Sequence, residues 1–194
     1  MGLLIMTLGL ALFLGVHVLV SLREQRAALI ANWGEGPYKI GFSLVSALGL
    51  ALIIYGFALY RQTGWIDVWS PPAWTRHVAV PLMLPAAICL LAAYVPGNIK
   101  RTLKHPMLVS VKLWALAHLI ANGDLGSIIL FGAFLAWAVY DRISLKRRTD
   151  PGAPPIPIGG WRNDAIAVAA GVVVYLALGF TFHPIVIGVP AFTA

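Results

Sequence analysis

Apolar residues occur along this chain in long runs that short polar segments separate. A helix that crosses the hydrocarbon core of a bilayer needs about 20 mostly apolar residues, within a range of about 17–25. Six runs approach this length, and the fourth is the shortest. The pattern therefore predicts an all-α, polytopic membrane helical bundle of about six transmembrane helices. The predicted spans are 2–21, 40–60, 78–95, 107–121, 125–141 and 164–182.

Helix-breaking residues refine this picture at two places. Pro81 and Pro85 lie inside the third predicted span, where a kink is expected. The segment "ANGD" separates the fourth span from the fifth, which predicts an antiparallel helical hairpin. Either Asn122 or Asp124 is expected to cap the second helix of that hairpin, because both residue types are strong N-caps.

Composition supports the membrane assignment. Hydrophobic residues make up 60% of the 194 residues and charged residues only 11%, whereas soluble domains average roughly 25% charged residues. A single membrane domain is expected to fill residues 1–194, with 142–163 forming a Pro/Gly-rich cytoplasmic loop. The only cysteine, Cys89, excludes an internal disulfide and a cysteine-based metal site.

The basic residues predict the orientation in the membrane. Of the 14 Lys and Arg, 11 lie in the loops after the first, third and fifth predicted spans, while only Arg61 and Arg76 lie in the opposite loops. Because Lys and Arg collect in cytoplasmic loops, both termini are expected outside, in the periplasm of a bacterial inner membrane. The net charge of +7 then indicates membrane orientation rather than nucleic-acid binding, and the lipid bilayer is the expected partner.

Three of the five histidines lie near predicted span ends. His77 and His183 are interpreted as interfacial residues that bind no cofactor. His105 precedes Pro106, a residue typical of the first position of a helix. His105 is therefore either a residue of the helix start or a functional one.

His17 and His118 lie within apolar runs, where an ionisable residue is costly and tends to mark function. The alternative is that each is a neutral histidine forming a hydrogen bond between helices. His105 and His118 are about 20 Å apart along one helix, so a metal held by either needs a partner from another span. His17 is a candidate partner, although its predicted depth is slightly nearer to that of His105 than to that of His118.

Small residues adjoin both of these histidines: Gly15 lies near His17, and Ala115, Ala117 and Ala121 lie near His118. They are expected to let a large planar ligand approach, although small residues are also common at helix interfaces. No HExxH motif or Cys/His cluster is present, which disfavours a zinc or di-iron enzyme. Neutral imidazoles in an apolar pocket suit haem b.

Several segments resemble the NnrU family: "GVHVLVSLREQ", "GEGPYK", "SPPAWTRH", "YVPGNIKRTLKHPMLVSVKLWALAH" and "ANGD". The resemblance extends to about residue 148 and is most specific over 94–124. It implies a bacterial membrane protein associated with denitrification and linked to nitrite and nitric oxide reductase. The family is also similar to 15-cis-zeta-carotene isomerase, a membrane enzyme that contains haem b.

The resemblance implies specific site residues. The isomerase shares a pattern that corresponds here to His105, Pro106, Leu113, Trp114, Ala117 and His118. Its haem ligands correspond to His17 and His118, which leaves His105 as the fallback ligand. The isomerase has a cysteine where this chain has Ala115, so a ligand exchange that needs a thiol is not expected here. Arg23, Arg101 and Lys104 are candidates to meet the haem propionates by position alone.

Three functions follow from these residues. The first is a haem-b protein that senses, relays electrons or supports a nitrite or nitric oxide reductase in the membrane. The second is a haem-dependent cis-trans isomerase of a carotenoid-like polyene, which needs a long apolar tunnel from the iron to the lipid. The third is a membrane scaffold without a cofactor.

Overall fold

A computed structural model describes residues 1–148 and 158–192 of the protein. Eight α-helices and one π-helical segment form this part of the chain, and its only extended pairing is an isolated bridge between Asp67 and Asp124. The all-α prediction is confirmed. The elements are α1 (Gly2–Ser21), α2 (Arg23–Trp33), α3 (Glu35–Thr63), α4 (Trp74–Tyr94), α5 (Asn98–Leu103), α6 (Pro106–Ala121), α7 (Leu125–Arg147), α8 (Gly160–Ala177) and the π-helical segment (Leu178–Ile187).

Five helices in the described residues are long and apolar enough to cross a membrane: α1, α3, α4, α7, and α8 continued by the π-helical segment. Helix α6 is apolar but has only 16 residues, which corresponds to about 24 Å against a hydrocarbon core of about 30 Å. Each predicted span thus coincides with a helix, and the fourth is again the shortest.

The helix ends differ from the predicted ends where the chain becomes polar. Helix α3 begins at Glu35, five residues before the predicted start, and its polar first turns contain an exposed (i, i+4) ion pair of 2.8 Å between Glu35 and Lys39. Helices α7 and α8 extend into both ends of the predicted loop 142–163, while residues 149–157 of that loop lie outside the described residues. Helix α4 continues through Pro81 and Pro85 without interruption.

The chain divides into two compact units. Unit 1 contains α1, α2, α3 and α7, and its most extensive packing joins α1 to α3. The backbones of these two helices approach closely at glycines: a Cβ at Gly9 would lie 2.6 Å from the nitrogen of Ile53, and one at Gly49 would lie 2.7 Å from the nitrogen of Phe13. Close packing through glycine is the usual way in which helices associate in membranes.

Unit 2 contains α4, α5, α6, α8 and the π-helical segment. Helix α4 packs against both α6 and α8. Gly171 in α8 meets the backbone of Ile88 in α4, since a Cβ there would lie 2.7 Å from the Ile88 Cα. The side chain of Asp164 accepts hydrogen bonds from the backbone of Ile99 and the amide of Asn98, which fixes α5 against the start of α8.

The turn between α6 and α7 is as predicted. Helix α6 ends at Ala121 and α7 begins at Leu125. Oδ1 of the buried Asp124 accepts a hydrogen bond of 2.9 Å from the Ser127 backbone, which confirms the N-cap. Helix α6 packs against α4, and α7 packs against α1. The direct pairing of α6 with α7 stays a prediction.

Candidate functional site

His17 lies in α1 and belongs to unit 1. Its ring nitrogen Nδ1 is 2.6 Å from the backbone carbonyl oxygen of Phe13, one turn earlier in the helix. A carbonyl only accepts, so Nδ1 carries the proton and donates it. The neutral ring then has its lone pair on Nε2, which is the nitrogen available to a metal.

Aromatic side chains surround the His17 ring. Phe13 stacks on it with a centroid separation of 4.3 Å, Phe42 lies at 5.1 Å, and Trp137 presents an edge-on contact at 5.7 Å. Gly15 is exposed and lies about 200° from His17 around the axis of α1, so it does not line the same space. The wall formed by the aromatic side chains suits an apolar planar ligand.

Two polar groups near this wall find no hydrogen-bond partner within the described part of the chain. They are the indole nitrogen of Trp137 and the hydroxyl of Tyr38, both buried. Arg26 lies over the Tyr38 ring, with its Cζ 5.7 Å from the ring centroid. Neither Tyr38 nor Trp137 was predicted as a site residue, because an aromatic residue in an apolar run carries no signal that separates packing from binding.

His118 lies in α6 and belongs to unit 2. Its Nδ1 donates a hydrogen bond of 2.8 Å to the backbone carbonyl of Trp114, whose ring lies 5.4 Å away. The arrangement repeats that of His17: the carbonyl four residues earlier fixes the tautomer, and Nε2 carries the lone pair. Trp114 is thus placed beside His118, as the sequence pattern implied.

The predicted end of the last span, before His183, was wrong, whereas the interfacial position of His183 stays a prediction. The last helix does not end before this residue but continues as a π-helix for four residues beyond it, to Ile187. The His183 ring lies 6.1 Å from the His118 ring, and its buried Nδ1 has no hydrogen-bond partner in residues 1–148 and 158–192. The signal available in the sequence was the apolar run "IVIGV", which continues past the proline.

Two of the small residues near His118 are buried. Ala115 and Ala117 are 0% and 1% exposed, so protein atoms cover them. Their burial favours close helix packing, the alternative interpretation. The approach of a planar ligand at these residues stays a prediction.

The remaining predicted residues lie around α5 and the start of α6. Arg101 and Lys104 are exposed, and Lys104 ends α5 with a positive φ of 63°. The backbone carbonyl of His105 accepts hydrogen bonds from Leu108 and Val109, and Pro106 is the first residue of α6. The predicted helix start at Pro106 is confirmed, and the role of the His105 side chain stays a prediction.

The grouping of metal-binding side chains and the positions of the histidines complete the description of the site. The described residues contain no group of three or more His, Cys, Asp or Glu side chains that could hold a metal ion by themselves. His77 is exposed near the start of α4. His17 and His118 belong to different units, so their pairing stays a prediction, whereas His118 and His183 are in contact within unit 2.

Comparison with known proteins identifies one family. A family model described as NnrU protein matches residues 5–191. The match includes the last helix and His183, which extends the resemblance beyond residue 148. No curated protein and no solved structure matches the chain.

Proposed function

Because the chain belongs to the NnrU family, we propose that it is a haem-b-binding membrane protein in which His118 is an iron ligand. Bound haem would supply one-electron exchange between ferric and ferrous iron. This chemistry suits redox relay or sensing in support of nitrite and nitric oxide reduction, the role that the family resemblance implies. His17 is the second ligand implied by the same resemblance.

The observation that carries this proposal is the hydrogen bond at each of the two histidines. Both rings donate Nδ1–H to the carbonyl four residues earlier, at 2.6 Å for His17 and 2.8 Å for His118. Such a bond fixes ring orientation and tautomer and increases the basicity of Nε2, as is common for metal-binding histidines.

The absence of a three-ligand group also favours haem over a bare ion. A structural zinc ion needs about four protein ligands, and none of the described clusters reaches three. Haem would bring most of the iron's ligands itself, so one or two imidazoles of this chain would be enough to hold it. His17 and His118 would supply these one or two imidazoles.

The isomerase alternative has weaker support. It relies on the aromatic wall at His17, which would accept a polyene as well as a porphyrin. The position at which the isomerase has a cysteine is here Ala115, which is fully buried. The only cysteine of the chain, Cys89, lies in α4. An exchange of iron ligands through a thiol at position 115 is therefore not open to this protein.

Absorption spectroscopy of the purified protein tests the proposal. After expression with sufficient haem, the wild-type protein is expected to show a Soret band and, on reduction, the sharp bands of haem b. His118→Ala should lose the Soret band or shift it strongly. His77→Ala is the matched control, because His77 is an exposed histidine of the same unit, and its spectrum should equal that of the wild type. A wild-type protein without a Soret band would contradict the proposal and favour a scaffold.

A further inference from the structure

We propose that His183 supplies the second imidazole to an iron held by His118, so that unit 2 alone contains both axial ligands. This assignment rests on the proposed haem function and adds to it. It differs from the pairing of His118 with His17 that the family resemblance implies.

The first observation is the spacing of the two rings. The centroids of His118 and His183 lie 6.1 Å apart, and the ring planes differ by 34°. Two imidazoles on opposite sides of one metal, each bonded at about 2.0–2.1 Å, hold their centroids roughly 6 Å apart. The observed separation of the two rings therefore agrees with shared coordination of one metal.

The second observation concerns the hydrogen-bond partners of the ring nitrogens of His118 and His183. His118 donates its Nδ1–H to Trp114, which assigns its lone pair to Nε2. His183 has a buried Nδ1 that finds no partner in the described residues. Burial of a polar nitrogen without a partner costs free energy, so such a group calls for an explanation. Binding of this Nδ1 to a metal held by His118 would give the nitrogen the partner that the described residues do not supply.

The third observation is the backbone around His183. Residues Leu178–Ile187 form a π-helix that contains Pro184 and ends at Gly188 with a φ of 75°. A proline inside an α-helix clashes with the carbonyl four residues earlier, and a local π-helical adjustment relieves that conflict within a membrane. Short π-helical stretches occur frequently at functional sites. The widened turn keeps His183 within a continuous helix and beside α6, instead of at a frayed end.

The two histidines fit haem better than a metal ion without a porphyrin, because they are only two ligands. The described residues contain no third ligand of the His, Cys, Asp or Glu type that groups with the two rings. A porphyrin iron needs only two axial ligands, and two imidazoles supply them in full.

Electron paramagnetic resonance and absorption spectra of the ferric protein test this assignment. The wild type is expected to be six-coordinate and low-spin. His183→Ala should retain haem but become largely high-spin, and added imidazole should restore the low-spin signal. His17→Ala should stay low-spin, as should the control His77→Ala. His183→Met should stay six-coordinate but raise the reduction potential, because a His/Met pair raises the potential of haem.

The outcomes separate the two proposals. A low-spin spectrum that persists in His183→Ala but is lost in His17→Ala would overturn the assignment of His183 and leave haem binding intact. The absence of haem from the wild type would overturn both. If His183→Ala fails to fold, His183→Met and its potential still decide the matter: an unchanged potential contradicts the assignment.

Discussion

Asp124 illustrates how one side chain fixes the start of a membrane helix. It is 1% exposed, and its Oδ1 accepts the Ser127 backbone hydrogen bond at the first turn of α7. Loss of an N-cap acceptor costs about 1 kcal/mol, within a range of about 0.5–2. The backbone of residues 66–69 also pairs with residues 123–125, so a frayed α7 would loosen this loop too.

Asp124→Ala is therefore expected to lower the free energy of unfolding by about 1 kcal/mol. In a chain of this length that corresponds to a fall in Tm of roughly 2–4 °C, measurable by thermal unfolding in detergent. Asp67→Ala is the matched control, since the side chain of Asp67 is exposed and accepts a hydrogen bond from the Trp65 indole, while the backbone bridge to Asp124 does not depend on that side chain. Equal Tm values for the two variants would contradict the capping role.

The sequence allowed this cap and the Pro106 helix start to be predicted, because both depend on local backbone geometry that residue type controls. The position of His183 could not be predicted in the same way. A proline next to a histidine at the end of an apolar run is typical of a helix end, and only the π-helical turn keeps the helix continuous there. The burial of Ala115 was equally hidden, because packing and ligand binding both favour a small residue.

At the scale of elements, the contact between α1 and α3 depends on glycines at particular positions. A Cβ on Gly49 would lie 2.7 Å from the Phe13 nitrogen and 3.0 Å from the Gly9 carbonyl oxygen. Gly41, in the same helix, has no atom of the described chain within 4 Å of its Cβ position. Substitution by alanine is therefore expected to change the stability of the protein in opposite directions at Gly49 and Gly41.

Gly49→Ala is expected to destabilise the protein by about 1–3 kcal/mol, because neither helix backbone can yield easily to the added methyl group. Gly41→Ala should be neutral or stabilising by up to about 1 kcal/mol, since alanine favours a helix over glycine. Thermal unfolding of both variants in the same detergent makes the comparison. A Gly49→Ala protein as stable as Gly41→Ala would show that the helices do not pack this closely.

The six apolar runs were sufficient to predict the long helices, because a bilayer demands length and hydrophobicity that no other environment imposes on a chain. Helices α2 and α5 were not predicted, since α2 is polar and without buried residues and α5 has only six residues. Asp164 holds α5 through hydrogen bonds to residues more than 60 positions away in the chain. A contact between such distant residues cannot be predicted from a local sequence pattern.

At the scale of the whole molecule, the topology depends on whether α6, whose 16 residues are short for a span, crosses the membrane. The distribution of basic residues indicates that it does. With six crossings, the basic residues between α7 and α8 share one side of the membrane with those that follow α1 and α4. With five crossings, they would lie outside, against the usual bias. These residues are Arg142, Lys146, Arg147, Arg148 and Arg162.

Reporter fusions test this topology. A reporter fused after Arg148 is expected to be active in the cytoplasm, and one fused after Ala194 in the periplasm. A fusion after Arg61, on the side with few basic residues, serves as the periplasmic control. Exchange of the first two activities, with the control unchanged, would mean that α6 does not cross the membrane.

The central claim is that His118 binds the iron of a haem, and it is tested most directly by titrating haem-free protein with haemin. The wild type is expected to bind haemin with an apparent one-to-one endpoint in the Soret region. His118→Ala should bind at least tenfold more weakly. His105→Ala should bind as the wild type does, because the substitution retains the backbone carbonyl that accepts the first hydrogen bonds of α6. The opposite order, with His105→Ala weakened and His118→Ala unaffected, would contradict the assignment of the iron ligand.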